Sequence, residues 1–390
     1  MAVLGTGMTD MSRRDVAPEA MAHQVVHEAL ADAGVDPLHL AMVVSGNALA
    51  GRLSDQGCVR GQSWLRKSSL GDAPVVNVDN SCAGGASALQ VGAMAVKATG
   101  APVLVVGVEK MWTGDRAATL AGIEDGLPAD YRADLHARFR PEDNPGGSIL
   151  MALNDQWARR CMRERGTTIE QIAAAAVKAR RNAARNPLAQ VQREVTLDEV
   201  LEAPQVSGVL TRLMCSSFTD GAAAVVLGPG SAADPAAPRI IGFVARSGNG
   251  ELDYHDRLGQ AAAAMWEAVG LGPDDFDMVE LHDATSAEEI FALESLGLFG
   301  HGEAGPATAA GDTTIGGKGL TVNPSGGLVG RGHPLGATGI AQVVELATHL
   351  RQRGGARQVA GARLGLAVNT GGVIEGDAGY VGMVAMASVD

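Results

Sequence analysis

The chain repeats itself, and the repeat limits its fold more than any other feature of the sequence. His27-Glu-Ala-Leu-Ala-Asp-Ala-Gly-Val-Asp-Pro37 leads, five residues past its proline, into Met42-Val-Val-Ser. Trp266-Glu-Ala-Val-Gly-Leu-Gly-Pro273 leads, over the same interval, into Met278-Val-Glu-Leu. Each copy reads as helix, turn and strand. Each is followed by a further strand that ends in a polar turn and opens a helix of small residues. These are Val75-Val-Asn-Val-Asp-Asn-Ser-Cys-Ala-Gly-Gly and Leu320-Thr-Val-Asn-Pro-Ser-Gly-Gly. Duplication of one α/β unit is the economical explanation. The expected halves are residues 1–235 and 236–390, meeting near Gly228–Pro238, a Gly/Pro/Ala stretch that reads as a linker. Residues 112–208, rich in arginine, have no counterpart in the second half. They read as an insertion over the first half, of the kind that builds a substrate lid.

Between these landmarks, short β-branched runs alternate with alanine-rich helical stretches. Strands are predicted at Ala41–Ser45, Val75–Val78, Val103–Val108, Ala222–Leu227, Met278–Leu281 and Leu364–Val368. Helices are predicted at Pro18–Ala33, Ala83–Thr99, Thr168–Asn186, Gln260–Val269, Ala284–Leu296 and Gly336–Arg353. Pro18 suits a first helical position, where a missing N–H costs nothing. The alternation predicts a layered α/β fold with strands buried on both faces.

Charge excludes one class of partner. The net charge of −13 provides no basic footprint for phosphates, and aromatic residues at 3% leave little for base stacking, so no nucleic-acid partner is expected. No apolar run has the ~18–20 residues that span a bilayer, and the N-terminal stretch lacks a secretory pattern. Cys58, Cys82, Cys161 and Cys215 are widely spaced without a C-x-x-C pair, as in reduced cytoplasmic proteins. A soluble cytoplasmic protein, without membrane contact, is the expectation.

Four segments carry chemistry. In Asp79-Asn-Ser-Cys-Ala-Gly-Gly a strand turns into a small-residue helix with Cys82 at its start. Free N–H groups and the helix dipole there favour a thiolate, which makes Cys82 a candidate nucleophile rather than a core cysteine. In Gly330-Arg-Gly332-His333-Pro-Leu-Gly, an imidazole sits in a glycine-dense loop, with Pro334 fixing the backbone after it. His333 is suited to stabilising a thiolate or enolate, or to moving a proton. His282 ends a strand, where ligand-facing residues of α/β sheets collect, and Asp283 reads as the cap of the following helix. Leu366-Ala-Val-Asn369-Thr-Gly371-Gly is a strand entering a glycine turn whose N–H groups could face an oxyanion.

Together these segments resemble the thiolase superfamily, in particular its sterol-carrier-protein-type and archaeal branches, over nearly the whole chain. The resemblance rests on Asn80-Ser-Cys82-Ala-Gly-Gly, Leu213-Met-Cys-Ser216-Ser-Phe-Thr-Asp220-Gly and His282-Asp-Ala. It rests also on Asn323-Pro-Ser-Gly-Gly with Gly332-His333-Pro-Leu-Gly-Ala-Thr-Gly, and on Ala183-Ala-Arg-Asn-Pro-Leu-Ala-Gln. It implies a five-layered α-β-α-β-α fold of two halves, and an acyl-CoA acyltransferase without metal or cofactor. Cys82 would carry the acyl group, and the N–H groups of Cys82 and Gly371 would hold the thioester oxygen. His282 and His333 would stabilise an enolate, with His333 also activating Cys82. Ser216 would lie along the pantetheine arm, and Asn323 and Gly332 belong to the same substrate-binding motifs. Partners implied are acyl-CoA and CoA, a second copy in a dimer or tetramer, and a small zinc-ribbon/OB-fold acyl-CoA-binding protein. The acid/base cysteine that many thiolases carry near the C-terminus is replaced by Asn369, and another that sterol-carrier-type members carry is replaced by Ala284. Decarboxylative condensation, aldolase-type cleavage and a non-catalytic binding subunit are the alternatives.

Overall fold

The structure is a computed structural model that describes residues 1–13, 15–139, 144, 147–230 and 236–389. The first half opens with β1 (Ala2–Met8), α1 (Pro18–Ala33) and β2 (Met42–Gly46). Two short helices, α2 (Ala50–Leu53) and α3 (Arg60–Leu65), precede β3 (Val75–Val78), α4 (Gly84–Thr99) and β4 (Val103–Glu109). Next come α5 (Arg116–Glu124), α6 (Ala129–Arg138), α7 (Ile149–Arg165), α8 (Ile169–Ala184) and α9 (Leu197–Leu201), with a hairpin of β5 (Gln205–Ser207) and β6 (Leu210–Thr211). β7 (Gly221–Gly228) closes this half. The second half runs β8 (Arg239–Ser247), α10 (Tyr254–Val269), β9 (Met278–Glu280), α11 (Ser286–Ser295) and α12 (Ala304–Ala310). It ends with β10 (Thr321–Val322), α13 (Gly327–Gly330), α14 (Thr338–Leu350), β11 (Leu364–Ile374) and β12 (Asp377–Ala387).

Strand order displays the duplication. The sheet runs β10-β9-β11-β12-β8-β1-β7-β4-β2-β3, so each half orders its five strands third, second, fourth, fifth, first. Pairing agrees: β2 is parallel to β3 and β4 as β9 is to β10 and β11, while β7 and β12 run antiparallel to their neighbours. The halves join through the single pair Ala2↔Arg239. α1 covers the outside of the first half and α10 the outside of the second. Between the halves lie α4 and α14, packed on each other and on strands of both. That is the expected five-layered arrangement.

Local chemistry sets the elements. α1 starts on Pro18 and ends on Gly34, whose φ of 61° suits the left-handed C-terminal turn. β4 and β7 are buried along their whole length, as strands covered on both faces must be. The central layer is tight because it is built on glycine: a Cβ on Gly85 would lie 2.9 Å from the Gly339 nitrogen, and one on Gly107 2.3 Å from the Gly336 oxygen. Sequence reading placed α10 six residues late, because its first turn is polar. Asp253 caps that turn, accepting from His255 N at 2.8 Å.

The insertion borders a cavity through Trp112, Arg116, Leu120, Asn154 and Trp157, and its α5 packs on α2 of the first half. Its later part packs against the second half. α8 contacts α11, α12 and α13, and its Ile172, Ala173, Ala176 and Ala179 share a core cluster with Phe291 and Val329. The reason is its amphipathic face, which needs an apolar neighbour, together with two buried amides. Asn182 and Asn186 donate to the carbonyls of Asn323 and Ser325 at 3.0 and 2.9 Å. Gly326 and Gly330 make room: a Cβ on either would press into Ala183, and one on Gly330 also into the Ala179 carbonyl.

Candidate active site

A cavity of about 620 Å³ opens where the two halves meet, and Cys82, His282 and His333 all line it. The Cys82 sulfur and one nitrogen of each histidine lie within 4.8 Å of one another. The imidazoles stand edge to face, their centroids 4.9 Å apart. The sequence motifs separated by 200 residues and more are thus one constellation.

Cys82 lies two residues before the start of α4, behind Ser81, which adopts φ 51°. It is partly exposed and lines the cavity. Burial pushes its thiol up to about 12, Ser81 opposing weakly and Glu109 adding to the rise. Burial thus opposes the thiolate that a helix start would favour. The sulfur needs a base.

The two histidines hold their protons differently. Thr338 donates its hydroxyl hydrogen to the Pro334 carbonyl at 2.9 Å, so it can only accept from His333 Nδ1–H, 2.7 Å away. That leaves His333 Nε2 as a bare lone pair. Asn369 Nδ2 donates both to the Cys82 carbonyl at 3.2 Å and to His282 Nδ1 at 3.0 Å. A carbonyl only accepts, which fixes the amide orientation, and His282 must then carry its proton on Nε2. Burial keeps both rings neutral: His282 is pushed down to about 3, and His333 well below the usual range, with the neighbouring His282 and Arg331 contributing. One ring is a base and the other a donor. The same assignment leaves the trio one lone pair short of three metal ligands, because His282 turns its own toward Asn369.

Surrounding residues lock this arrangement. Glu109, unremarked in the sequence beyond ending an apolar strand, accepts from Asn47 Nδ2, Ala48 N, Leu49 N and Gly336 N at 2.7–3.0 Å. Burial pushes its carboxyl up to about 7 against those donors. The carboxylate ties the strand ends of the first half to the loop that carries His333. Gly371 borders the cavity; a Cβ there would lie 2.2 Å from the Asn80 carbonyl and 2.3 Å from Ala83 N, so β11 touches the Cys82 turn directly.

Other expected site residues fall differently. Ser216 lines the cavity, its N–H bonded to the Ala284 carbonyl. Asn323 and Gly332 do not line it. Asn323, fully buried at φ 51°, accepts from Leu281 N at 2.8 Å and donates to Glu289 at 3.0 Å, tying the His282 strand to α11. Gly332, at φ 114°, lets Thr219 approach and accept from His333 N at 3.1 Å. Both position the histidines from behind. Asp283 does not cap α11, which Thr285 does; it accepts instead from Leu328 N at the start of α13. Residues missed in the sequence are Asn154, Trp157, Tyr254, Glu288 and Thr370, all lining the cavity. Arg13, Arg116, Arg180 and Arg212 line it too.

A partly buried cysteine, an imidazole with a bare lone pair and an imidazole that can donate are gathered in one cavity, the groups that nucleophilic acyl transfer calls for. Family comparison agrees. Residues 1–231 match the model of the thiolase N-terminal domain, and residues 252–381 that of the thiolase C-terminal domain-like family. The chain belongs to the thiolase family, a family of acyl-CoA acyltransferases. It is 37% identical to an acetyl-CoA acetyltransferase of Methanothermobacter thermautotrophicus, over 95% of this chain and 96% of that one. It is 32% identical to sterol carrier protein 2 of Bos taurus, over 95% of this chain and 69% of that one. In fold it is similar to the Ltp2-ChsH2(DUF35) aldolase, with a TM-score of 0.79 at 23% identity, covering 99% of this chain and 97% of the other. No helix among the described residues is long and apolar enough to cross a membrane.

Proposed function

We propose that the protein takes an acyl group from a CoA thioester onto Cys82 and passes it to CoA, in thiolysis of a 3-ketoacyl-CoA, or to an acyl-CoA enolate, in the reverse Claisen condensation. The observation that carries this reading is the proton arrangement around Cys82: His333 keeps a bare Nε2 and His282 a protonated one, in rings that each bring a nitrogen within 4.8 Å of the sulfur. His333 takes the thiol proton as sulfur attacks the thioester carbonyl, and returns it to the departing CoA sulfur. Neutral again, it is free to take an α-proton from the second acyl-CoA, while His282 Nε2–H stabilises the enolate oxygen. Its proton then returns to the Cys82 sulfur as the new carbon–carbon bond forms. Asn369 cannot titrate; its part is to hold His282 in the donor tautomer. The N–H groups of Cys82 and Gly371 face the thioester oxygen, Ser216 borders the pantetheine arm, and cavity arginines meet the phosphates of CoA.

The absence of a titratable group at Asn369 favours one second reading, a reaction on the same acyl-enzyme whose carbon nucleophile arises without α-proton removal, by decarboxylation or aldol cleavage. β3 lies at the open edge of the sheet with half-exposed residues, which supports the expected homodimer. The similarity in fold to the Ltp2-ChsH2(DUF35) aldolase supports the expected small protein partner.

Incubation with acetyl-CoA and intact-mass measurement tests the proposal. An acetyl adduct on the wild type, absent from Cys82→Ala, is expected. No adduct, or one that survives the substitution, overturns it. Thiolysis of acetoacetyl-CoA and longer 3-ketoacyl-CoAs then separates the first reading from the second.

A further inference from the structure

The wall of the cavity beyond the catalytic trio is polar where a hydrocarbon chain would need it apolar. α7, α10 and α11 meet there, bringing Trp157, Tyr254 and Glu288 to the surface of the cavity. Glu288 is 2% exposed, and its Oε2 has no hydrogen-bond partner. His255 Nε2 faces it at 3.4 Å, an ion-pair distance when the ring is protonated but outside hydrogen-bonding geometry, and it too makes no hydrogen bond. That imidazole is clamped edge-on by Trp157, Tyr254 and Phe291, so it cannot swing closer without disturbing three rings. A buried acceptor left open costs roughly 1–3 kcal/mol, which a bound ligand donor would recover.

The neighbouring hydroxyls complete the pattern. Tyr254 Oη and Thr370 Oγ1 are 2.6 Å apart and buried. One donates to the other, which leaves a single O–H still to be given. Tyr254 is close enough to Glu288 and Cys82 for both to add to the rise that burial imposes on its phenol, so the hydroxyl keeps its proton. Thr370 lies between Asn369 and Gly371 and lines the same cavity as Cys82. The wall therefore offers one open acceptor and one spare donor, within reach of a chain attached at Cys82.

We infer that this wall selects acyl groups carrying a hydroxyl along the chain, which donates to Glu288 Oε2 and accepts from the Tyr254–Thr370 pair. A methyl or methylene there would leave both unmet, and a carboxylate would face an acceptor with another acceptor. The inference rests on the Cys82 reading only for which part of the substrate lies at this wall.

Non-reactive CoA thioethers test it by binding alone. Alkyl chains of four to eight carbons are compared with the same chains bearing one hydroxyl, moved along the chain, by calorimetry. The expected result is at least one hydroxylated probe bound roughly ten-fold or more tighter than its plain counterpart. Glu288→Leu abolishes or inverts that preference, Glu288→Gln keeps part of it, and Tyr254→Phe weakens it. If Glu288→Leu does not fold, the other two variants decide. Equal affinities along the whole series, binding of none of the probes, or a preference that survives the variants overturns the inference. The failures are separable: missing acetylation of Cys82 sinks the proposed function, while the affinity ratio is read without any reaction.

Discussion

The two halves use equivalent turns for opposite purposes. In the first, the turn between β3 and α4 presents Cys82 from a loop that is partly open, with Asp79 and Asn80 exposed. In the second, everything from Thr321 to Ala347 between β10 and the end of α14 is buried, His333 included. Cys82, the proposed nucleophile, is thus on the more open copy, and His333, the proposed proton carrier, on the sealed one. Duplication supplied two turns at one junction, and the insertion sealed one of them by laying α8 over it. A proton carrier needs its tautomer held from every side, whereas a nucleophile needs a way in for the substrate.

Substitutions break or sharpen this contrast. Gly371→Val forces a side chain into the Asn80 carbonyl and Ala83 N, the contact between the halves; acylation should vanish and the thermal midpoint fall by several degrees, at a cost of about 3 kcal/mol or more. Asn369→Asp should invert the His282 tautomer, since a carboxylate draws the proton to Nδ1. Turnover should fall by about a hundred-fold or more with little change in KM, and the pH–rate profile should shift. Asn182→Ala strips the Asn323 carbonyl of its donor in the sealed loop and should cost about 2 kcal/mol in urea unfolding. Acid should act on the same loop. His282 and His333 have pKa values depressed below that of the unfolded chain, so between pH 6.5 and about 3 the unfolded state binds protons that the folded state refuses. Stability should fall with falling pH by up to about 1.4 kcal/mol per unit for each ring, and His282→Asn should flatten the slope. In the open turn, Asp79→Ala removes the acceptor for Ser81 N and an exposed 3.5 Å pair with Arg60, and about 0.5 kcal/mol is expected.

Much of this was legible in the sequence because it is local. The repeat gave the helix–turn–strand and strand–turn–helix pieces shared by both halves, though not β1, β8 or β12, and Gly-rich turns following strands located Cys82 and His333. What stayed hidden depends on the partner a side chain finds in three dimensions. Glu109 looks like a polar residue ending an apolar strand until four N–H groups converge on it. Asp283 reads as a cap for its own helix, yet its carboxylate serves α13 instead. The Cys82 thiol shows the same limit: the helix end is local and readable, the burial that overrides it is not. Tyr254 and Glu288 lie on helices whose starts were misplaced, although Asp253 and Thr285 were there as capping residues to mark them.

One carboxylate makes the two halves inseparable in practice. Glu109 belongs to the first half and holds the amide of Gly336 in the second, so the loop bearing the base is finished only when the partner half is in place. A chain cut between β7 and β8 would have to rebuild its active site by bimolecular association, and its activity would fall on dilution. In the intact chain the connection keeps the halves at a high effective concentration that dilution cannot reduce.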